Sequence, residues 1–372
     1  MGWWGKRNKK RILARGAMVL EELIECCDGK SNPIKFFSAD EILKATNSFS
    51  KSNRLSGLEI WYSGKNENHH KILVKKCYNC EDRSICRDIA VSSMVSGHKN
   101  FMKLIGCCLE FRNPVMVYDG VKKHYKLDIS EQPWKRRMKI TEDIATTLAY
   151  LHTAFPRPFV YRCMSLGNIL LDEDGVAKLS DLSYCVSIPE GETFVHVDSL
   201  VGLHGYMDYK YLRNGVVSEK TDVFAFGMLM QTFLTGRERF WKRFIREQEK
   251  EKGEGDGDGD GSGDDSITMA KMKLNWILRF MEEGRVDEIA DPKMGENSEL
   301  ELCQMKAFLM LSLRCVGHKG EVPTMVEVAK ELKKIQRSLK PGFKHRDPYG
   351  ETQIDYAQDI SSQDILMDMV LF

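Results

Sequence analysis

The chain has 372 residues, with 55 Lys and Arg against 54 Asp and Glu and 42% apolar side chains, a soluble globular profile. Its net charge of +1 excludes a generally basic nucleic-acid binder. No apolar run nears the roughly 18–20 residues that cross a bilayer. The charge is uneven, however: residues 1–20 carry six basic side chains and no acid, and residues 251–265 carry seven acids against Lys252.

In chain order, residues 1–36 read as a basic extension ending in a short amphipathic helix, about Ala17 to Cys26. No apolar stretch of roughly 7–15 residues follows its charges, so a secretory signal is not expected. With eleven cysteines in so long a chain, the expectation is a reducing, cytoplasmic setting and mostly free thiols. Trp3, Trp4 and the basic cluster suit weak, peripheral contact with the anionic plasma-membrane leaflet. Gly2 invites acylation, although Lys6 stands where Ser or Thr is wanted.

Ser38 and Glu41 have capping-box spacing, which starts a helix that runs to about Thr46. Lys71–Lys75 and Val115–Tyr118 are strand-length apolar or β-branched runs, with a helix between them over about Arg87–Val95. Cys77, Cys80 and Cys86 lack a fourth ligand at suitable spacing, so they read as ordinary thiols rather than a zinc site. Beyond Leu127 the pattern turns helical, as in Trp134–His152 with Ile140, Ile144, Thr147, Leu148 and Leu151 on one face. A strand-rich small lobe, 37–121, then precedes a helical large lobe, 122–338: an α+β, bilobal layout with a cleft between the lobes.

Residues 253–265 are a Gly/Asp run inside an acidic insertion, about 247–266, that cannot bury apolar surface and reads as disordered. Asp256, Asp258 and Asp260 mimic the start of a calcium loop, but Ile267 stands where a bidentate Glu is required. Residues 339–372 form an acidic tail in which Ile365, Leu366, Met369, Val370 and Leu371 are able to dock elsewhere.

Several segments fall into one order. They are Phe37-Ser38 with Glu41-Ile42 and Ala45-Thr46-Asn47; His98-Lys99-Asn100; and Lys103-Leu104-Ile105-Gly106-Cys107-Cys108-Leu109-Glu110. Asn168-Ile169-Leu170-Leu171-Asp172, Lys178-Leu179-Ser180-Asp181 and Ser218-Glu219-Lys220-Thr221-Asp222-Val223 continue it. Together they resemble the plant receptor-like kinase domain over residues 37–338, which implies a bilobal protein-kinase fold.

Phosphoryl transfer requires a glycine loop over the phosphates, a lysine on them, a carboxylate at the substrate hydroxyl, and magnesium ligands. The resemblance implies Gly57, Lys75, Asp119, Asn168 and Asp181 as the nucleotide-side residues, with Asn168 and Asp181 toward magnesium. Within Leu55–Gly64 only Gly57 remains of the loop, and Glu59 adds negative charge near the phosphates. The usual helix Glu that pairs with Lys75 is replaced by the shorter Asp88, which puts that pair in question.

In the catalytic loop Tyr161-Arg162-Cys163-Met164-Ser165-Leu166-Gly167-Asn168, Cys163 occupies the base position and Ser165 the lysine position. A neutral thiol is neither an anion at pH 7 nor a comparable acceptor, and loss of a positioned base typically costs about 10²–10⁴ in rate. Asp181-Leu182-Ser183 replaces D-F-G. Lys210 and Val322 stand where a buried Glu–Arg pair is expected, and losing both partners is close to neutral. Asp222 remains to hold the catalytic-loop backbone.

The stretch Gly29-Lys30-Ser31-Asn32-Pro33-Ile34-Lys35-Phe36-Phe37-Ser38 beside this degraded loop resembles a narrower group. It is similar to the plant receptor-like cytoplasmic pseudokinases called the HopZ-ETI-deficient-related kinases. The resemblance implies an adapter or decoy in plant innate immunity. Such an adapter binds the leucine-rich-repeat region of a coiled-coil NLR immune receptor and meets pathogen effectors or effector-modified receptor-like cytoplasmic kinases. It places the recognition segment at about Leu182–Met207, with Ser187, Thr193 and Ser199 as modifiable hydroxyls, and leaves at most weak binding of ATP and magnesium. The alternative is an active non-receptor serine/threonine kinase with an atypical catalytic loop, since Lys75, Asn168 and Asp181 survive.

Overall fold

A computed structural model describes residues 3–337, apart from 28, 30–31, 59, 69, 78–80, 204, 237–264, 295–297 and 319. The acidic tail, Cys80, Glu59 and nearly all of the Gly/Asp insertion lie outside the described residues. The end of that insertion is already helix, because a helix begins at Asp265.

The capping box forms as spaced. Ser38 Oγ accepts from Glu41 N at 3.2 Å and Glu41 Oε2 from Ser38 N at 2.7 Å, opening a helix over Ala39–Ala45. Strands β1 (Lys35–Phe36), β2 (Trp61–Lys65), β3 (Lys71–Lys76), β4 (Leu104–Cys108) and β5 (Val115–Asp119) make one sheet in the order β1-β4-β5-β3-β2. The pairs within β2 to β5 are antiparallel, and β1 lies parallel to β4. Gly106 admits that last pairing, since a Cβ there would stand 2.1 Å from Lys35 O.

The first 36 residues are not a separate extension. One helix, α1, runs over Trp3–Cys27 and packs against α3 (Asp82–Val95), the α2 label belonging to Ala39–Ala45. Its inward face is Arg15, Val19, Glu22 and Cys26, all buried. Arg15 pairs with Asp82 at 2.8 Å and donates to the carbonyls of Leu109, Phe111 and Arg112. Glu22 takes Arg83 at 2.9 Å and Arg87 at 2.6 Å. Half of this seam is charged, so apolar periodicity exposed only its Ala17–Cys26 part. The partner helix likewise starts at Asp82, a turn before the Arg87 expected from sequence. No described helix is long and apolar enough to cross a membrane.

The large lobe is built on α4 (Trp134–Thr153) and α6 (Glu219–Thr235), with the short α5 (Tyr209–Asn214) before α6. Ile140, Ile144, Leu148 and Leu151 of α4 face Phe226, Leu229, Met230 and Phe233 of α6 in one buried cluster. Helices α7 (Asp265–Glu282), α8 (Val286–Ile289), α9 (Glu299–Cys315) and α10 (Met325–Arg337) complete it. A buried ion pair locks the layers: Arg137 donates to Asp291 at 2.6 Å and to Phe233 O at 2.8 Å. At the top, β6 (His124–Lys126), β7 (Ile169–Asp172) and β8 (Ala177–Leu179) form a small sheet that carries the cleft floor.

Candidate functional site

Strand β3 is buried through Ile72, Leu73 and Val74, and this rigid element delivers Lys75 into the cleft with 6% exposure. Lys75 Nζ meets Asp88 Oδ2 at 3.0 Å, so the shorter acid still closes the pair. Asp88 Oδ1 also accepts from Ser92 Oγ at 3.0 Å and from Leu182 N at 3.0 Å. Asp181 Oδ1 lies 3.9 Å from Lys75 Nζ. Burial pulls the Lys75 ammonium down, but Asp88 and Asp181 more than offset it, and its pKa stands well above the ordinary lysine value. Lys75 is therefore a fixed cation joining strand, helix and activation segment.

The catalytic loop hangs from Asp222 at the start of α6. Its carboxylate accepts from Tyr161 N at 2.7 Å and Arg162 N at 2.9 Å, and lies 2.9 Å from His152 Nε2. The backbone scaffold is therefore complete where the chemistry is not. Cys163 Sγ sits 3.5 Å from Asn168 Nδ2, which also donates to Cys163 O at 2.9 Å. Burial first, then the Asp181 charge, push the thiol up to about 12, against the lowering effect of Asn168. The atom at the base position is protonated at any physiological pH. Ser165 supplies no charge where the transferring group would need one.

Asp181 adopts a left-handed φ of 64°, and its Oδ1 accepts from Ser183 Oγ at 2.6 Å. The serine that replaces glycine thus occupies one oxygen of the expected magnesium ligand. Asn168 stays close, since Ser180 N donates to Asn168 O at 2.9 Å. Magnesium needs near-octahedral oxygen ligation, usually completed by substrate phosphates. Among the described residues no group of three or more His, Cys, Asp or Glu could hold a metal by itself. The donor set does not fit magnesium without a phosphate cradle.

The loop over the expected phosphate position is tightly turned on itself. Gly57 turns the chain with φ 71°, and the loop then bonds to itself: Leu58 N to Leu55 O, Trp61 N to Leu58 O, and Leu55 N to Trp61 O, at 2.9–3.2 Å. These N–H groups are spent on protein carbonyls. Leu58 and Trp61 turn inward and share one buried cluster with Tyr118, Leu104 and Leu170, with the Trp61 and Tyr118 rings 5.2 Å apart. Side chains of the loop thus pack directly on β4, β5 and Leu170 of the cleft floor. Asp119, at the exit of β5, is engaged as well. Its carboxylate pairs with Lys103 at 3.2 Å and accepts from Val121 N at 3.0 Å.

The activation segment is held from inside. Arg162, at φ 66°, donates to Ser199 O and Tyr211 Oη, each at 2.8 Å, and to Tyr184 O at 3.3 Å. Two short pairings pin the same segment: Val186–Ser187 with Phe159–Val160, and Val195–His196 with Val216–Val217. Ser187 is half-buried, whereas Thr193 and Ser199 are exposed. Phe194, Leu200, Leu203 and Tyr209 stand exposed beside them, a patch that residue-by-residue motif reading missed. Lys210 is exposed and Val322 is packed at the rim of the large core, so the double loss of the ion pair strands no buried charge.

The protein kinase domain model matches residues 61–258. The chain is 61% identical to the inactive serine/threonine-protein kinase ZRK12 of Arabidopsis thaliana, over 98% of this chain and 90% of that protein. The serine/threonine-protein kinase ZRK4 of the same plant is 43% identical, over 91% and 98%. Its non-functional pseudokinase ZED1 is 42% identical, over 89% of this chain and 99% of that protein.

Proposed function

The chain belongs to the protein kinase family and, within it, to the HopZ-ETI-deficient-related group of plant pseudokinases, and from that premise we propose that it works as an adapter. It is an inactive serine/threonine kinase, in keeping with the names of ZRK12 and ZED1 and with a protonated thiol at the base position. The observation that carries the adapter reading is the activation segment. It is folded by internal bonds from Arg162, and it presents Phe194, Leu200 and Leu203 to solvent. A phosphate acceptor site of an enzyme would need no such apolar face, whereas a protein-binding surface would.

In this reading the activation segment meets a pathogen effector or an effector-modified receptor-like cytoplasmic kinase, with Thr193 and Ser199 as exposed hydroxyls. The body of the chain rides on the leucine-rich repeats of a coiled-coil NLR receptor in the plant cytoplasm. Mg-ATP is at most a weak ligand, with Asn168 and Asp181 the residues that would hold the ion. Capture of the full chain and of a Leu200→Asp/Leu203→Asp variant from plant cytosol tests this. The expected result is an NLR on both baits, with the kinase or effector lost from the variant; recovery of neither class on the wild-type bait overturns it.

The alternative, an active serine/threonine kinase with an atypical catalytic loop, rests on the survival of Lys75, Asn168 and Asp181 and on the 43% identity to ZRK4. Phosphotransfer by purified protein beside a Lys75→Ala control separates the two. Incorporation that depends on Lys75 would replace the adapter reading with the kinase one.

A further inference from the structure

Helix α1 has two long faces, and among the described residues only one is packed inside the fold. Arg15, Val19, Glu22 and Cys26 seat on α3, while Leu13, Ala17, Leu20 and Ile24 point the opposite way. Those four follow the spacing 4, 3, 4, the seam of a helix pair. Leu13 is 65% exposed, Leu20 57% and Ile24 58%, three of the largest apolar exposures on the described surface. Lys9 and Lys10 are exposed at the N-terminal side of this stripe, and no acid precedes Glu21.

The same chain carries a segment that matches the stripe in both respects. Residues 347–372 hold six acids and no Lys or Arg. Ile365, Leu366, Met369 and Val370 recur at i, i+1, i+4 and i+5, one face of a helix, with Asp364 and Asp368 on its flank. Twenty-two residues, 338–359, lie between α10 and Ile360. Extended, they reach about 70 Å at roughly 3.3 Å per residue, more than the breadth of roughly 50 Å expected for a body of this size.

We propose that the C-terminal segment 360–372 packs as a helix on the outward stripe of α1, making α1 the middle of three helices. Asp364 and Asp368 lie by Lys9 and Lys10. The acid-free end, Met369 to Phe372, runs toward Leu20 and Ile24 and keeps clear of Glu21 and Glu25. Charge complementarity and the single-chain tether favour this occupant over a separate protein, because the effective concentration is set by the linker. The contact is independent of the adapter role.

Hydrogen exchange of the intact chain, read segment by segment, tests it. Thirteen residues form only a marginal helix alone in water, so protection there reports docking. The expected result is exchange at 360–372 slower than the free-chain rate by about tenfold or more. Leu20→Asp/Ile24→Asp returns it to the free-chain rate with the melting temperature unchanged, since both side chains face solvent in the described fold. Leu366→Asp/Val370→Asp does the same from the other side, and Lys9→Glu/Lys10→Glu weakens the protection. Free-chain exchange at 360–372 in the wild type overturns the proposal, as does protection that survives both pairs of aspartates. Two further outcomes overturn it by naming another occupant. One is protection that fades on dilution, which marks a second copy. The other is co-sedimentation with phosphatidylserine vesicles that Leu20→Asp/Ile24→Asp abolishes while the tail exchanges freely.

Discussion

At the scale of single residues the site has kept its geometry and exchanged its chemistry. Cys163 sits where a carboxylate base belongs, but burial and Asp181 hold its proton on up to about 12. Alkylation of Cys163 by iodoacetamide is therefore expected to stay slow through pH 9, while a low-pKa thiol would react by pH 7. Replacing Cys163 by Asp and Ser165 by Lys restores both side chains, yet the loop that packs Leu58 and Trp61 inward keeps a single glycine, Gly57. Phosphotransfer by that double variant is expected to stay at background, and recovery of activity would show that the loop opens. Lys75 ties β3 to α3 through Asp88. Lys75→Ala leaves Asp88 buried without its cation and is expected to cost about 3–5 kcal/mol in urea unfolding. Lys75→Met with Asp88→Leu should recover most of the loss. The motif identities were legible in the sequence, because the resemblance to the receptor-like kinase domain aligned Lys75, Cys163, Asn168 and Asp181 with its motifs. The closing of the Asp88 pair was not, because a missing methylene is answered by how near α3 sits to β3, which no local pattern records.

Among the elements, α1 differs most from its sequence pattern, running from Trp3 to Cys27 rather than from Ala17. Its inward face alternates Arg15 and Glu22 with Val19 and Cys26, and a charged residue at a core position reads as a surface residue until its partners are known. Asp82, Arg83 and Arg87, with three carbonyls near residue 110, supply those partners from far along the chain. Arg15→Ala is expected to leave these acceptors unpaired and to cost several kcal/mol. Faster hydrogen exchange in α3 as well as in α1 would be its signature; an effect confined to residues 3–27 would mean that α1 does not brace its neighbour. Elements whose specification is local came through as read. The Ser38 and Glu41 box, strand β3 and helix α4 each appear within a residue or two of their sequence bounds.

For the whole molecule, stability should depend on pH through partly and fully buried imidazoles. Burial holds His98 and His124 below the ordinary histidine pKa. The unfolded chain takes up protons there before the folded chain does. Stability is therefore expected to be level above about pH 7 and to fall as pH drops through 6. His124→Gln should flatten the melting temperature across pH 5–7, and an unchanged slope would assign the loss to other groups. By itself the sequence determined the fold class, the order of the motifs and the loss of the catalytic base, because each is written in residue type at fixed spacing. Only the tertiary structure decided that α1 packs on the small lobe, that Asp88 reaches Lys75, and that Leu58 and Trp61 turn into the core beside Tyr118. Those outcomes depend on pairs of residues from 13 to 97 positions apart, and a side chain's burial and partner are properties of the packed chain, not of its neighbours in sequence.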